Sequence, residues 1–199
     1  MNALRKRRIV TVMKYTWPIY IVSAVILALL LRFIFQIVHR LPAYKSITLF
    51  ISGEVTDSKK LKNDLLEKYK DKEIKSVETI SAYADEAVYH SKLTVTGVSS
   101  ADILIIPETK LNDLKISTFG LELTNEIMST HFPGLTTYSQ EDKTYGIKLN
   151  KEIIKPYFKT SNDDHFMILN AGSPNIGEYG ASEIKEHNVA LELVKEWGI

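Results

Sequence analysis

Polar side chains suited to binding cluster where the apolar runs of this sequence stop. Ser52, Gly53 and Glu54 close SITLFIS, Ser81 and Tyr83 close IKSVETIS, and Glu108, Thr109 and Lys110 follow ADILIIP. Hydroxyls, carboxylates and an ammonium at such places supply donors and acceptors for a small polar ligand. Tyr145, ahead of GIKLN, is a ninth candidate, read first as marking a turn. Each has a plainer reading: Gly53 relieves a turn, Tyr83 packs beside a helix and Glu108 is a solvated loop acid. Reaction chemistry finds little to work with. The histidines at 39, 90, 131, 165 and 187 form no HExxH pattern or close pair, so no metal site is expected. Asp163, Asp164 and His165 read as a solvated turn. FGLEL and YGASE lack a nucleophile elbow, and the glycines of GSPNIGEYG have neither the spacing nor the Lys-Ser/Thr ending of a phosphate loop. The expectation is a protein that is not an enzyme and carries no cofactor.

The elements that must position these residues alternate between strand and helix. SITLFIS, 46 to 52, reads as a compact first strand. VTDSKKLKNDLLEKYKD places Leu61, Leu65, Leu66 and Tyr69 on one helical stripe, with Thr56 or Asp57 as N-cap. IKSVETIS, 74 to 81, alternates like a second strand. A helix is expected over Ala82 to Leu93, frayed by Thr94, Val95 and Thr96 and closed by Gly97. ADILIIP is apolar without alternation, which predicts a strand buried on both faces between helices. At the end of the chain Val189, Ala190, Leu193, Val194 and Trp197 form the apolar face of a terminal helix, entered through the turn-rich SPNIGEYGAS. In an open α/β sheet, ligands sit beyond the carboxyl ends of the strands, where the candidates fall.

In order, the Lys- and Leu-rich helix ending in EKYKD, the segment YHSKLTVTGVSS, the strand ADILIIPE, the strand DKTYGIKLN and the final FMILNAGSPNIGEYGASEIKEHNVALELVKEW resemble the N-terminal lobe of family 1 extracellular solute-binding proteins. These are the maltose-binding-like receptors of ABC importers. The resemblance covers most of residues 45 to 199 and implies a periplasmic-binding-protein-like α/β lobe, an open and mostly parallel sheet with flanking helices. It also implies that the same loops line the ligand cleft. The chain departs from the family in one respect: only EIIKPYFKTSNDDH separates the YGIKLN strand from FMILN, which leaves no room for a second lobe or its hinge closure.

The chain divides into a basic N-terminus (1 to 16), an apolar run (17 to 38), a short linker (39 to 45) and a folded domain (46 to 199). Residues 17 to 38, WPIYIVSAVILALLLRFIFQIV, are long enough to cross about 30 Å of hydrocarbon as a helix. Without a small-residue cleavage site, the run reads as a retained signal anchor, and RKRR before it predicts a cytoplasmic N-terminus and an extracytoplasmic domain. Arg32 is expected to snorkel toward headgroups or to meet a membrane partner. Residues 1 to 44 hold seven of the 25 basic residues and no acid, leaving 18 basic against 24 acidic beyond them, a formal −6. Nucleic acid is therefore not an expected partner. The reading that follows is a membrane-anchored, extracytoplasmic solute-binding-like component of an ABC-type importer, taking a sugar or peptide. The alternative is a degenerate lobe that docks on a permease or sensor, or pairs with itself as a homodimer.

Overall fold

The structure, a computed structural model, describes residues 3–38, 41–83, 87–180 and 187–199, with side chains of the first helix described from 16 to 35. The chain separates into two compact units, 1–41 and 42–199. The first is a single helix, α1 (Ala3–Val38), which begins within the basic segment instead of after it. Its stretch Thr16–Phe35 has a mean hydropathy of 2.4, and it is long and apolar enough to cross a membrane. The four residues of the RKRR cluster have their backbone in this helix, while their side chains, together with His39 and Arg40, lie outside the described residues.

The second unit is an α/β domain. A six-stranded sheet is built from β1 (Ser46–Ser52), β3 (Ser76–Ala82), β4 (Ile103–Pro107), β5 (Thr137–Gln140), β6 (Lys143–Lys148) and β8 (His165–Leu169), in the order β3-β1-β4-β8-β6-β5. A separate ribbon pairs β2 (Glu54–Val55) with β7 (Phe158–Lys159). β1 runs parallel to both β3 and β4, β8 runs against β4 and β6, and β5 runs against β6, so four of the six strands share one direction. The sheet is thus mixed, mostly parallel and flanked by helices.

Strands with continuous apolar sequence lie at the centre because both of their faces are covered. Ile47, Leu49 and Ile51 of β1, Ile103 and Ile105 of β4, and Met167 and Leu169 of β8 enter one core. Phe50, Leu104, Ile106, Phe166 and Ile168 enter the other. The first core is covered by α2 (Ser58–Lys68), α6 (Asn125–His131) and α8 (Val189–Gly198), through side chains that include Leu61, Leu65, Ile127, Val189, Ala190, Leu193, Val194 and Trp197. Asp57 caps α2, its carboxylate accepting from the Lys60 N–H at 2.8 Å. On the stripe expected for α2, Leu61, Leu65 and Tyr69 are buried and Leu66 is half-buried.

Between β3 and β4 the sequence expectation fails in place. β3 runs on to Ala82, residues 84–86 lie outside the description, and the helix is α3 (Tyr89–Lys92), a π-helical stretch Leu93–Gly97 and α4 (Val98–Ser100). Gly97 does not end the helix. A β-carbon there would stand 2.8 Å from the Phe50 ring, so the bare backbone is what lets this face settle on β1. Tertiary packing of Tyr89 and Leu93 overrides the weak helix propensity of Thr94, Val95 and Thr96. α5 (Glu108–Leu111) and α7 (Lys151–Ile154) are single turns following β4 and β6.

The amino ends of β1 and β4 close around Asp102, whose carboxylate is buried. It accepts from the Thr48 N–H at 2.7 Å, the Ser173 hydroxyl at 2.5 Å and the Asn175 amide at 3.1 Å. Asn175 also donates to the Ser46 carbonyl, and Asn170 donates to the carbonyls of Val98 and Ala101. Burial pushes the Asp102 carboxyl above its ordinary 3.8, opposed by the Ser173, Thr48 and Asn175 donors. Asp102→Ala leaves three donors unmatched and is expected to cost on the order of 3 kcal/mol in urea unfolding of the full chain in non-ionic detergent. Because the folded chain holds this proton more tightly than the unfolded one, wild-type stability falls relative to Asp102→Asn as pH rises from about 4 through the raised value. A constant difference between the two across that range rules out the titration.

Candidate functional site

Beyond the carboxyl ends of β1, β3 and β4 the domain opens into a cleft of about 490 Å³, lined by Ser52, Gly53, Glu54, Tyr83, Thr109, Lys110, Lys159, Thr160, Ser161 and Asp163. Six of the nine residues named from sequence therefore meet in one place. The three strands bring them there: β1 ends at Ser52, the chain leaves β3 at Tyr83, and α5 turns Thr109 and Lys110 back over the end of β4. A volume of this size suits a small ligand.

The other three lie elsewhere. β3 extends one residue farther than its pattern indicated, so Ser81 is an exposed strand residue opposite Ile51. Glu108 opens α5, its N–H donating to the Asp164 carbonyl at 2.8 Å while its side chain is exposed. Tyr145 is a correction to the expected turn: it is buried inside β6, in the core that holds Tyr138 and Phe166. The chain turns earlier, at Glu141 and Asp142, both with left-handed φ, so Tyr145 and Gly146 fall within the strand. Arg32 is exposed on α1, within the apolar stretch.

The wall formed by Lys159, Thr160, Ser161 and Asp163 is not foreseen in the sequence, where Asp163 reads as part of a solvated turn and the residues before it as a short connection. A two-residue strand carries no periodicity to find. Its position depends on Gly53: a β-carbon there would lie 2.5 Å from the Lys159 carbonyl oxygen, so only glycine allows β7 to approach the end of β1. The N–H groups of Thr56 and Asp57 both donate to the Tyr157 carbonyl, at 2.9 and 3.1 Å, and hold the ribbon.

Beneath this wall sits His165. It is not part of a solvated turn: Asp163 and Asp164 are exposed, but the imidazole is 1% exposed at the start of β8. Nδ1–H donates to the Asp163 carbonyl at 2.8 Å, and Nε2 is buried. Burial holds its pKa below the ordinary 6.5, opposed by the backbone carbonyls of Asp163 and Ser52, so the ring is neutral at neutral pH. Ser52 is fixed by the Tyr89 phenol, the two oxygens lying 2.6 Å apart, and burial raises the Tyr89 pKa. Among the described residues no cluster of His, Cys, Asp and Glu could hold a metal ion. The cleft thus offers hydroxyls and charges of both signs.

Comparison with protein-family models, characterised proteins and solved structures finds no match for this chain.

Two outcomes test this geometry. Gly53→Ala is expected to push β7 away, costing about 1–3 kcal/mol in urea unfolding and speeding amide exchange at Thr56 and Asp57; unchanged exchange there contradicts the close approach. For His165, the unfolded chain takes up a proton as pH falls through 6.5 and the folded chain resists it, so stability is full above 6.5 and declines on acidification. His165→Leu should remove that part of the decline, and parallel wild-type and variant profiles between pH 7.5 and about 5 would refute it.

Proposed function

We propose that this protein is a membrane-anchored solute-binding component, its α/β domain holding a small solute in the cleft beyond β1, β3 and β4, and that it serves an ABC-type importer. The observation that carries the reading is the convergence of Ser52, Gly53, Glu54, Tyr83, Thr109 and Lys110 on one cleft. These residues come from separate stretches of sequence, each at the carboxyl end of a strand, where an open α/β sheet presents its ligand face. An open, mostly parallel sheet and one apolar N-terminal helix fit the same reading. Within it, the domain is a periplasmic-binding-protein-like lobe that faces the outside of the cell, with the basic N-terminus in the cytoplasm.

Among the described residues, 42–199 form one compact unit, with no second lobe to close over a solute. The short ribbon of β2 and β7 and the segment after it stand in for one, walling the cleft on a side where a receptor of the resembled family has its opposing lobe. Such a half-open site buries less of its ligand, so exchange with a permease is direct and affinity modest.

Isothermal titration of the full chain in detergent micelles against sugars, amino acids and short peptides is expected to give saturable heat with at least one of them. Ser161→Trp, which fills the cleft from its wall, should lower that affinity about tenfold or more without unfolding the domain. Absence of heat from every solute, with the domain folded by near-ultraviolet circular dichroism, overturns the proposal.

A further inference from the structure

The cleft carries charges that the fold does not pair. In the antiparallel β2–β7 ribbon Glu54 stands directly opposite Lys159, and both line the cleft. Residues so paired project from one face with β-carbons about 5 Å apart. Opposite charges in that relation ordinarily close on each other. Among the described residues, however, neither the Glu54 carboxylate nor the Lys159 ammonium has an ion pair or hydrogen bond, and the half-buried Lys110 has none either. Asp163 differs: its Oδ2 already accepts from the hydroxyls of Thr109 and Ser161, each at 3.4 Å.

Resting on the solute-binding reading, we propose that the cleft takes a free α-amino acid or an equally compact zwitterion, its carboxylate on Lys159 and Lys110 and its ammonium on Glu54. A purely anionic ligand would face Glu54 and Asp163, and a purely cationic one would face the two lysines. Only a molecule bearing both charges a few ångströms apart satisfies both sides of the ribbon. Glu54 and Lys159 are exposed, so a neutral sugar would displace water from these charges without an ion pair in return, and it would find one aromatic ring, Tyr83, in the lining.

The test titrates the full chain in detergent micelles with each proteinogenic L-amino acid, the methyl ester and N-acetyl derivative of any that binds, maltose and tripeptides. The amino acid is expected to bind about tenfold or more tightly than either blocked derivative. Glu54→Gln should erase the discrimination against the N-acetyl form and Lys159→Met that against the ester. The exchanged pair Glu54→Lys with Lys159→Glu should recover affinity that either exchange alone abolishes, while the urea unfolding midpoints of all three variants stay at the wild-type value, which separates a charge that meets ligand from a structural cross-strand pair. Equal binding of the blocked derivatives, or binding of maltose or tripeptides alone, overturns the zwitterion assignment and leaves solute binding standing. Heat from none of the probes overturns both.

Discussion

A buried carboxylate without a cation organises this domain. Asp102 lies at the amino end of β4, and among the described residues no ammonium or guanidinium contacts it. Its desolvation is offset by donors from three parts of the chain: the Thr48 backbone, the Ser173 hydroxyl and the Asn175 amide. The carboxylate is therefore satisfied only when β1 and β4 are in register and the segment after β8 has folded back beneath them. Asn170 strengthens the same junction: its backbone N–H donates to the Asp102 carbonyl at 3.0 Å, and its side-chain amide holds the carbonyls of Val98 and Ala101 where helix α4 gives way to β4. The amino edge of the sheet is closed by this network, and the carboxyl edge is left to open.

The strands themselves were plain in the sequence because two-sided burial leaves a simple mark. β1 matches SITLFIS residue for residue, and ADILIIP proves to be a central strand whose alternate side chains enter two different cores. The terminal helix was legible for the opposite reason, its apolar residues gathering on a single stripe. The helix after β3 was placed too early. Thr94, Val95 and Thr96 speak locally against helix, and the packing of Leu93 and Gly97 against the second core, which decides the matter, has no local signature. Asp102 stood in view as the second residue of ADILIIP, but its partners Ser173 and Asn175 lie 71 and 73 residues farther on. No spacing rule connects them.

The candidate site divides along the same line. Residues that follow long central strands could be named in advance, since a strand end fixes where its loop emerges. Residues of the opposite wall could not, because β7 is two residues long and owes its place to a glycine in another segment. The burial of His165 is hidden from the sequence for a related reason. Its neighbours Asp163 and Asp164 are indeed solvated, and only the sheet pairing, which sets His165 opposite Pro107, shows that the imidazole has already entered the core.

That pairing also explains why this α/β domain has a walled cleft. β8 runs against β4, so its first residue meets the last residue of β4 at the carboxyl edge of the sheet. The chain entering β8 must arrive at that edge, and it brings β7 and residues 160 to 164 with it. A parallel strand in the same position would enter from the amino edge, and the connection would cross a face of the sheet instead. Reversal of this one strand thus delivers Lys159 to Asp163 to the ends of β1 and β4. The glycine at 53 then lets the ribbon close to contact distance, and the charges of Glu54 and Lys159 are set side by side by backbone register, not by attraction to each other.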